Sequence, residues 1–221
     1  INNFKLDASA DTLILDDDKD LKIFREINDR YESNEFLILT VTDKNKDIFV
    51  NETLEYIHNL TLEIENFASV QSVTAITNIP LVSSSKKPLT ELINNIPNIF
   101  SKDIDPELAQ QEILTSPIYK DLVISQDAKT TAMQVTLKKN TALKEALIKR
   151  ELYYKKYIQD ASFEAQYLLS KQEYNNISET QKKKTSNLIK DIRKVQEKYS
   201  SDRYEIRLGG IPMITDDMVT F

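Results

Sequence analysis

The chain has 221 residues, 40% hydrophobic and 29% charged, which is globular composition long enough to bury a core. Its net charge of −6 disfavours nucleic acid as a partner, and the absence of cysteine excludes disulfides, thiolate nucleophiles and cysteine-held metals. No run of about 18 apolar residues is present to cross a bilayer.

Residues 1–15 alternate polar and apolar, and Asp16-Asp17-Asp18 then precedes a helical pattern over 19–31, with Leu21, Phe24, Ile27 and Tyr31 in the stripe. Residues 35–42 form an apolar, β-branched run of strand length. Residues 50–67 carry an amphipathic helix whose stripe is Leu54, Ile57, Leu60 or Thr61, Ile64 and Phe67. A second strand follows at 70–76, completing a β-α-β unit. Residues 77–117 hold five of the six prolines and read as an excursion with short helices near 89–96 and 106–114. The second of these has Asp105 as N-cap and Pro106 at the first helical position.

Residues 122–125 and 130–137 read as a β-hairpin around Gln126-Asp127-Ala128-Lys129. From Thr141 a three-four spacing of Leu143, Leu147, Tyr154, Ile158, Ala161, Ala165 and Leu168 predicts a long helix. It is expected to break at Tyr174-Asn175-Asn176, with Ser178-Glu179-Thr180-Gln181 as a capping box for a new helix bearing Leu188, Ile192, Val195 and Tyr199. A final strand at 204–208 runs into Gly209-Gly210. These are the only glycines, where ordinary usage would give about 15. Pro212 is expected to hold Ile211 extended.

Two tandem β-α-β units, the second interrupted by a helical pair, give an α+β reading: a ferredoxin-like split β-α-β lobe with an inserted helical-hairpin arm. The expected divisions are 1–33, an N-terminal segment and helix; 34–140, the first β-α-β unit with excursion and hairpin; 141–200, the helical hairpin; and 201–221, the closing strand. Residues 138–203 carry 16 Lys and Arg against 9 Asp and Glu, a surplus of +7, so arm and lobe read as separate structural units. Beginning at Ile1 and closing on Met218-Val219-Thr220-Phe221 inside an element, the chain reads as an excised piece of a longer protein.

Three patches resemble one family. Asp7-Ala8-Ser9-Ala10-Asp11-Thr12-Leu13, followed by Asp18-Lys19-Asp20 and Asn34-Glu35-Phe36-Leu37-Ile38, resembles the start of the first large periplasmic loop of resistance-nodulation-division (RND) transporters. The branch is that of the hydrophobe/amphiphile exporters and the mycobacterial large-membrane-protein-like proteins. Residues 123–132 resemble its S-x-D-G-K-T-x-A hairpin, with Ala128 in place of the turn glycine. Leu208-Gly209-Gly210-Ile211-Pro212 resembles the strand that closes the loop before the second membrane span. Residues 77–117 and 141–180 match nothing in that pattern.

The resemblance implies a periplasmic porter domain of a proton-driven bacterial inner-membrane exporter. It implies efflux or lipid transport of hydrophobic or amphiphilic substrates and conformational coupling to the transmembrane helices of the parent. An oligomeric arrangement or a periplasmic partner protein stays open. The alternative is a non-catalytic interaction module using the helical hairpin as its partner surface.

No catalytic residue, cofactor site or metal site is expected. The Asp16–Asp20 run lacks the turn glycine and twelfth-position Glu of a calcium loop, and helix capping explains it. His58, the sole histidine, has no nucleophile or orienting carboxylate nearby in sequence and reads as the edge of a buried stripe. No P-loop or GxGxxG is compatible with two adjacent glycines. Three groups remain as candidates. Gly209, Gly210 and Pro212 read as a hinge. Tyr153 and Tyr157, off the apolar stripe beside Lys155 and Lys156, read as a partner or headgroup surface, against the plainer reading of a solvated helical face. Leu81, Leu89, Leu92 and Ile96 read as the wall of an apolar cleft, against the plainer reading of a cover over one face of the sheet.

Overall fold

Strand β1, Phe36–Asp43, is built on strict alternation, with Leu37, Leu39, Val41 and Asp43 buried and Phe36, Ile38, Thr40 and Thr42 on the opposite face. The computed structural model describes Ile23, Ile27, residues 34–85, Pro88, Leu92 and residues 96–220. The expected strand-like stretch 1–15, the aspartate run and most of the helix at 19–31 lie outside the described residues.

After β1 come α1 (Asn51–Glu65), β2 (Val70–Thr74), α2 (Pro106–Thr115) and β3 (Thr130–Leu137). The chain continues through α3 (Thr141–Tyr157), a 3-10 turn (Ala161–Phe163), α4 (Glu164–Tyr199), β4 (Tyr204–Gly209) and α5 (Ile211–Thr220). The described residues thus form a mixed structure of one four-stranded antiparallel sheet and five α-helices. The sheet order is β2-β3-β1-β4. β1 pairs with β3 and β4, and β2 with β3, all antiparallel, so β1 and β2 run the same way with β3 between them.

Two compact units divide the chain, one made of Glu35–Leu137 with Asp191–Ile214, the other including Lys138–Lys190. The boundary falls inside α4 and not near residue 200. The last turns of that helix bury Ile192 and Val195 with the sheet unit. Its core joins Leu37, Leu39, Val41, Met133 and Val135 of the sheet to Ile57, Leu60 and Ile64 of α1, where each large aliphatic side chain contributes about 1.5–3 kcal/mol.

Helix α2 begins as its sequence predicts, with the Asp105 carboxylate accepting from the N–H groups of Glu107 and Leu108. Glu112 on this helix staples the excursion: its carboxylate accepts from the N–H groups of Val82, Ser83 and Ser84 and from Ser84 Oγ, at 2.7–3.1 Å. The expected hairpin differs in its first arm. Residues 122–125 form no full strand but contact β3 through Ser125 N–H to Thr130 O, Ala132 N–H to Val123 O and one bridge at Ile124. β2 occupies the same edge of β3 from Gln134 to Leu137, which leaves only β3's first residues to this segment.

Within the second unit, α3 and α4 form an antiparallel hairpin. Asn140 Nδ2 donates to Gln181 Oε1 at 3.0 Å, Lys149 Nζ to Glu173 at 2.6 Å, and Arg150 lies 4.4 Å over the Tyr174 ring. The turn is at residues 158–163, where Asp160 accepts from Ser162 N–H, and not at Tyr174-Asn175-Asn176. α4 runs unbroken through those residues and through the expected capping box. Asn and Ser cost a helix interior only a few tenths of a kcal/mol each, and Tyr174 is buried against Arg150 in return.

The glycine pair resolves into two different residues. Gly210 has φ +120, and a Cβ there would sit 3.0 Å from the Phe36 carbonyl oxygen and 3.2 Å from Leu37 Cα. Gly209 has open space around it. Ile211 is not extended. It opens α5, Pro212 lies in the first turn where its missing N–H costs nothing, and Ile214 N–H bonds the Gly210 carbonyl. Gly210→Ala is expected to destabilise the protein by about 1–3 kcal/mol through backbone strain and contact with β1. Gly209→Ala should be neutral within about 0.5 kcal/mol. Urea unfolding of the two variants checks the difference.

Candidate functional site

Alternation along β1 delivers its fourth inward position to a carboxylate. Asp43 is 0% exposed, and its oxygens accept from five donors, Arg203 Nε reaching both of them. Asn45 and Lys46 N–H reach Oδ1 at 2.9 and 3.0 Å, and Thr53 Oγ1 reaches Oδ2 at 2.8 Å. Arg203 completes the shell with Nη2 and Nε at 2.8 and 3.1 Å from Oδ2. Burial pushes this carboxyl up. The Arg203 guanidinium, the two backbone donors and the Thr53 hydroxyl outweigh that and hold it well below the usual carboxylate range.

Arg203 also donates Nη1 to Glu52 at 2.7 Å and Nη2 to Thr53 Oγ1 at 3.0 Å, and its pKa is raised chiefly by Asp43 and then by Glu52. Its guanidinium lies 4.7 Å over the Tyr204 ring, which stacks on Tyr56 at 3.9 Å and 16°. Tyr56 donates its hydroxyl to the Tyr199 carbonyl, and Tyr199 donates its own to Glu63 at 2.9 Å. Burial, then Glu63, pushes the Tyr199 phenol up to about 12. The ionic and aromatic members form one continuous cluster at the end of β1 and the start of β4. Each carboxylate in it accepts from a donor: Asp43 and Glu52 from Arg203, and Glu63 from Lys198 and Tyr199.

An open groove of about 530 Å³ lies beside β3, lined by Thr40, Asp121, Leu122, Gln126, Thr130 and Ala132 among others. Two non-glycine residues with positive φ flank it, Asp121 at 62° and Ala128 at 54°. Asp127 caps the turn, accepting from Ser125 Oγ at 2.6 Å and from Lys129 N–H at 3.1 Å. Ile48 N–H bonds the Ala128 carbonyl at 2.8 Å and Asp43 N–H bonds that of Lys129 at 3.0 Å, so the turn is fastened to the end of β1. Ala128 thus holds a left-handed backbone, the conformation that favours glycine.

The residues expected to mark function are placed as follows. Lys155 and Lys156 are exposed near the tip of the hairpin, and Lys156 sits over the rings of Tyr153 and Phe163. Tyr157, expected to face outward, is half-buried and stacked on Tyr167 at 5.5 Å and 8°, beside Tyr154. Leu81 and Leu92 are buried, Ile96 is half exposed and Leu89 lies outside the described residues, so the described members do not wall one open cleft. His58 packs edge-on to Phe100 at 5.4 Å, at the rim of the α1 stripe. Among the described residues no group of three or more His, Cys, Asp or Glu could hold a metal ion. Sequence reasoning passed over Asp43 and Arg203. The readable signal was a charge in phase with Leu37, Leu39 and Val41.

Comparison with protein-family models, with curated proteins and with solved structures found no match for this chain.

Asp43→Ala is expected to cost about 3 kcal/mol, because it takes the principal partner from the Arg203 guanidinium and leaves it only the exposed Glu52. The folded-state pKa of Asp43 lies below its unfolded value near 3.9, so its contribution is complete above about pH 5 and is lost as pH falls through the folded value. The stability gap between wild type and Asp43→Ala should therefore narrow on acidification below about pH 4, as read by denaturant melts across pH. Ala128→Gly should stabilise the protein by about 0.5–1 kcal/mol by relieving the left-handed alanine, a gain visible in thermal unfolding.

Proposed function

We propose that this chain is a periplasmic porter domain of a proton-driven RND-type exporter. It contributes to the passage of hydrophobic or amphiphilic substrates, lipids included, and to conformational coupling with the transmembrane part of its parent. The observation that carries this reading is the sheet order β2-β3-β1-β4 with β1-α1-β2 as one half and β3-(α3, α4)-β4 as the other. That order supports reading the sheet unit as a ferredoxin-like split β-α-β lobe, with the helical hairpin inserted in the second crossover. Two details support the family resemblance at residue level. Ala128 holds a positive φ where the pattern has its turn glycine, and Gly210 does so where the pattern closes its last strand.

The family resemblance implies proton-relay carboxylates in the transmembrane helices of the parent, and on this reading the lobe's part in transport is mechanical and steric. Among the described residues no helix is long and apolar enough to cross a membrane. A second reading, a partner-binding module, is favoured by Ile148 and Leu152, one turn apart and half exposed on α3. It would be tested on the intact chain by Ile148→Glu with Leu152→Glu, since α4 carries core residues that a deletion would remove.

The porter reading is tested by the coding sequence on both sides of these 221 residues. A span of about 20 apolar residues is expected shortly before residue 1 and another shortly after residue 221. Polar sequence on both sides overturns it.

A further inference from the structure

At the tip of the α3–α4 hairpin, exposed aliphatic side chains meet cations that have no carboxylate partner. Tyr157 stacks on Tyr167 at 5.5 Å, so the residues next in sequence, Ile158 and Leu168, lie at the same level of the hairpin. Ile158, Leu168 and Leu169 are each more than half exposed. The rings of the same turns, Tyr153, Tyr157, Phe163 and Tyr167, are half-buried and do not cover them.

Further from the tip, lysines are matched: Lys149 pairs with Glu173 at 2.6 Å and Lys194 with Asp191 at 2.8 Å. At the tip, Lys156 lies 5.6 Å over the Tyr153 ring and 5.4 Å over Phe163, and Lys171 lies 5.8 Å over Tyr167. Among the described residues Lys155, Lys156 and Lys171 pair with no carboxylate. The acids close by are otherwise engaged. Asp160 accepts from Ser162 N–H, and Glu164 opens α4, where the helix N-terminus offsets its charge. The macrodipole accounts for Lys155 and Lys156 in the last turn of α3, but not for the bare aliphatic residues beside them.

The geometry points to a membrane contact: the hairpin tip docks on a bilayer surface that carries anionic headgroups. Ile158, Leu168 and Leu169 enter the boundary between headgroups and acyl chains, the tyrosine rings sit at headgroup level, and the lysines meet lipid phosphates. The lysines favour this occupant over a protein. Lys is depleted at protein–protein interfaces, whereas its long apolar stem lets the ammonium snorkel beside buried aliphatic groups at a lipid surface. Charge also selects which part of the chain approaches. The whole carries −6 while residues 138–203 carry a surplus of +7, so an anionic surface attracts the arm and repels the remainder.

The chain has no tryptophan, so one introduced ring reports insertion. Ile158→Trp in the full chain is expected to shift its emission to the blue on adding vesicles of equimolar phosphatidylglycerol and phosphatidylethanolamine. Lipids brominated on the acyl chain should quench it. Leu122→Trp, at an exposed position outside the arm, should show neither effect. In vesicle flotation, substituting Lys155, Lys156 and Lys171 by Gln should weaken binding about fivefold for each lysine removed. Leu168→Ser with Leu169→Ser should weaken it at least about tenfold, and added salt should weaken the wild type. These side chains lie outside the core, and circular dichroism matching wild type confirms that each variant folds. No shift at 158, an equal shift at 122, or flotation that the tip substitutions leave unchanged overturns the proposal. So does a tip that joins chains into oligomers and leaves vesicles unbound. Vesicle binding is read on the chain itself, so its outcome is separate from that of the flanking coding sequence.

Discussion

A carboxylate at the inward end of β1 decides how this chain closes. Asp43 stands in line with Leu37, Leu39 and Val41, where an unpaired charge would cost several kcal/mol. Its principal partner, Arg203, is 160 residues away, beyond the excursion, β3 and the whole helical hairpin. Burial of the charge is tolerable only when β4 has arrived in the register that sets Tyr204 opposite Asp43. The pair therefore contributes less net stability than selectivity. A strand shifted by one residue would turn Tyr204 and Ile206 outward and leave Asp43 without its guanidinium.

The same junction explains how a long insertion is accommodated. Closing a longer loop costs little extra, about 0.6 kcal/mol for each doubling of length, so the arm between β3 and β4 is cheap in entropy. What it endangers is accuracy of return. Thr53 on α1 bonds Asp43, Arg203 and the Tyr204 hydroxyl, so helix, first strand and last strand meet at one side chain. Tyr56 one turn further packs on Tyr204 and Tyr199, and Lys198 pairs with Glu63 at 2.7 Å. These contacts clamp the end of α4 and the start of β4 to α1.

Much of the lobe was legible because local rules and burial agree there. An apolar, β-branched run located β1, alternation located β3, the 3.6 period located α1, and Asp105-Pro106 announced α2. The misreadings fall where a weak local preference met a stronger distant contact. Tyr174-Asn175-Asn176 looks like a helix end, yet the real turn is set where Asp160 caps and Tyr157 and Tyr154 close on Tyr167. Pro212 predicts an extended neighbour. Proline is equally suited to a helix's first turn, and Gly210 supplies the sharp entry that selects that outcome. Asp43 could be read as inward from its phase. Its partner could not, because nothing local in Ser201-Asp202-Arg203 distinguishes an ion-pairing arginine from a solvated one. The groove beside β3 was hidden for a similar reason, since its wall includes Asp121, whose residue type does not advertise the left-handed backbone it adopts.

Where motion could reside follows from the same geometry. A chain with two glycines, both at one strand end, invites a hinge there, but Gly210 is shaped to fit beneath the Phe36 carbonyl and the Leu37 backbone. Its unusual φ is fixed by contact, so its freedom in the unfolded chain is converted into close packing with β1. The excursion is likewise tied down by Glu112, and the turn after residue 125 by Ile48 and Asp43. A sheet so fastened at its last strand, its longest loop and its central turn transmits displacement as a body. The inward Asp43–Arg203 pair adds to these fastenings by tying the end of the first strand to the start of the last.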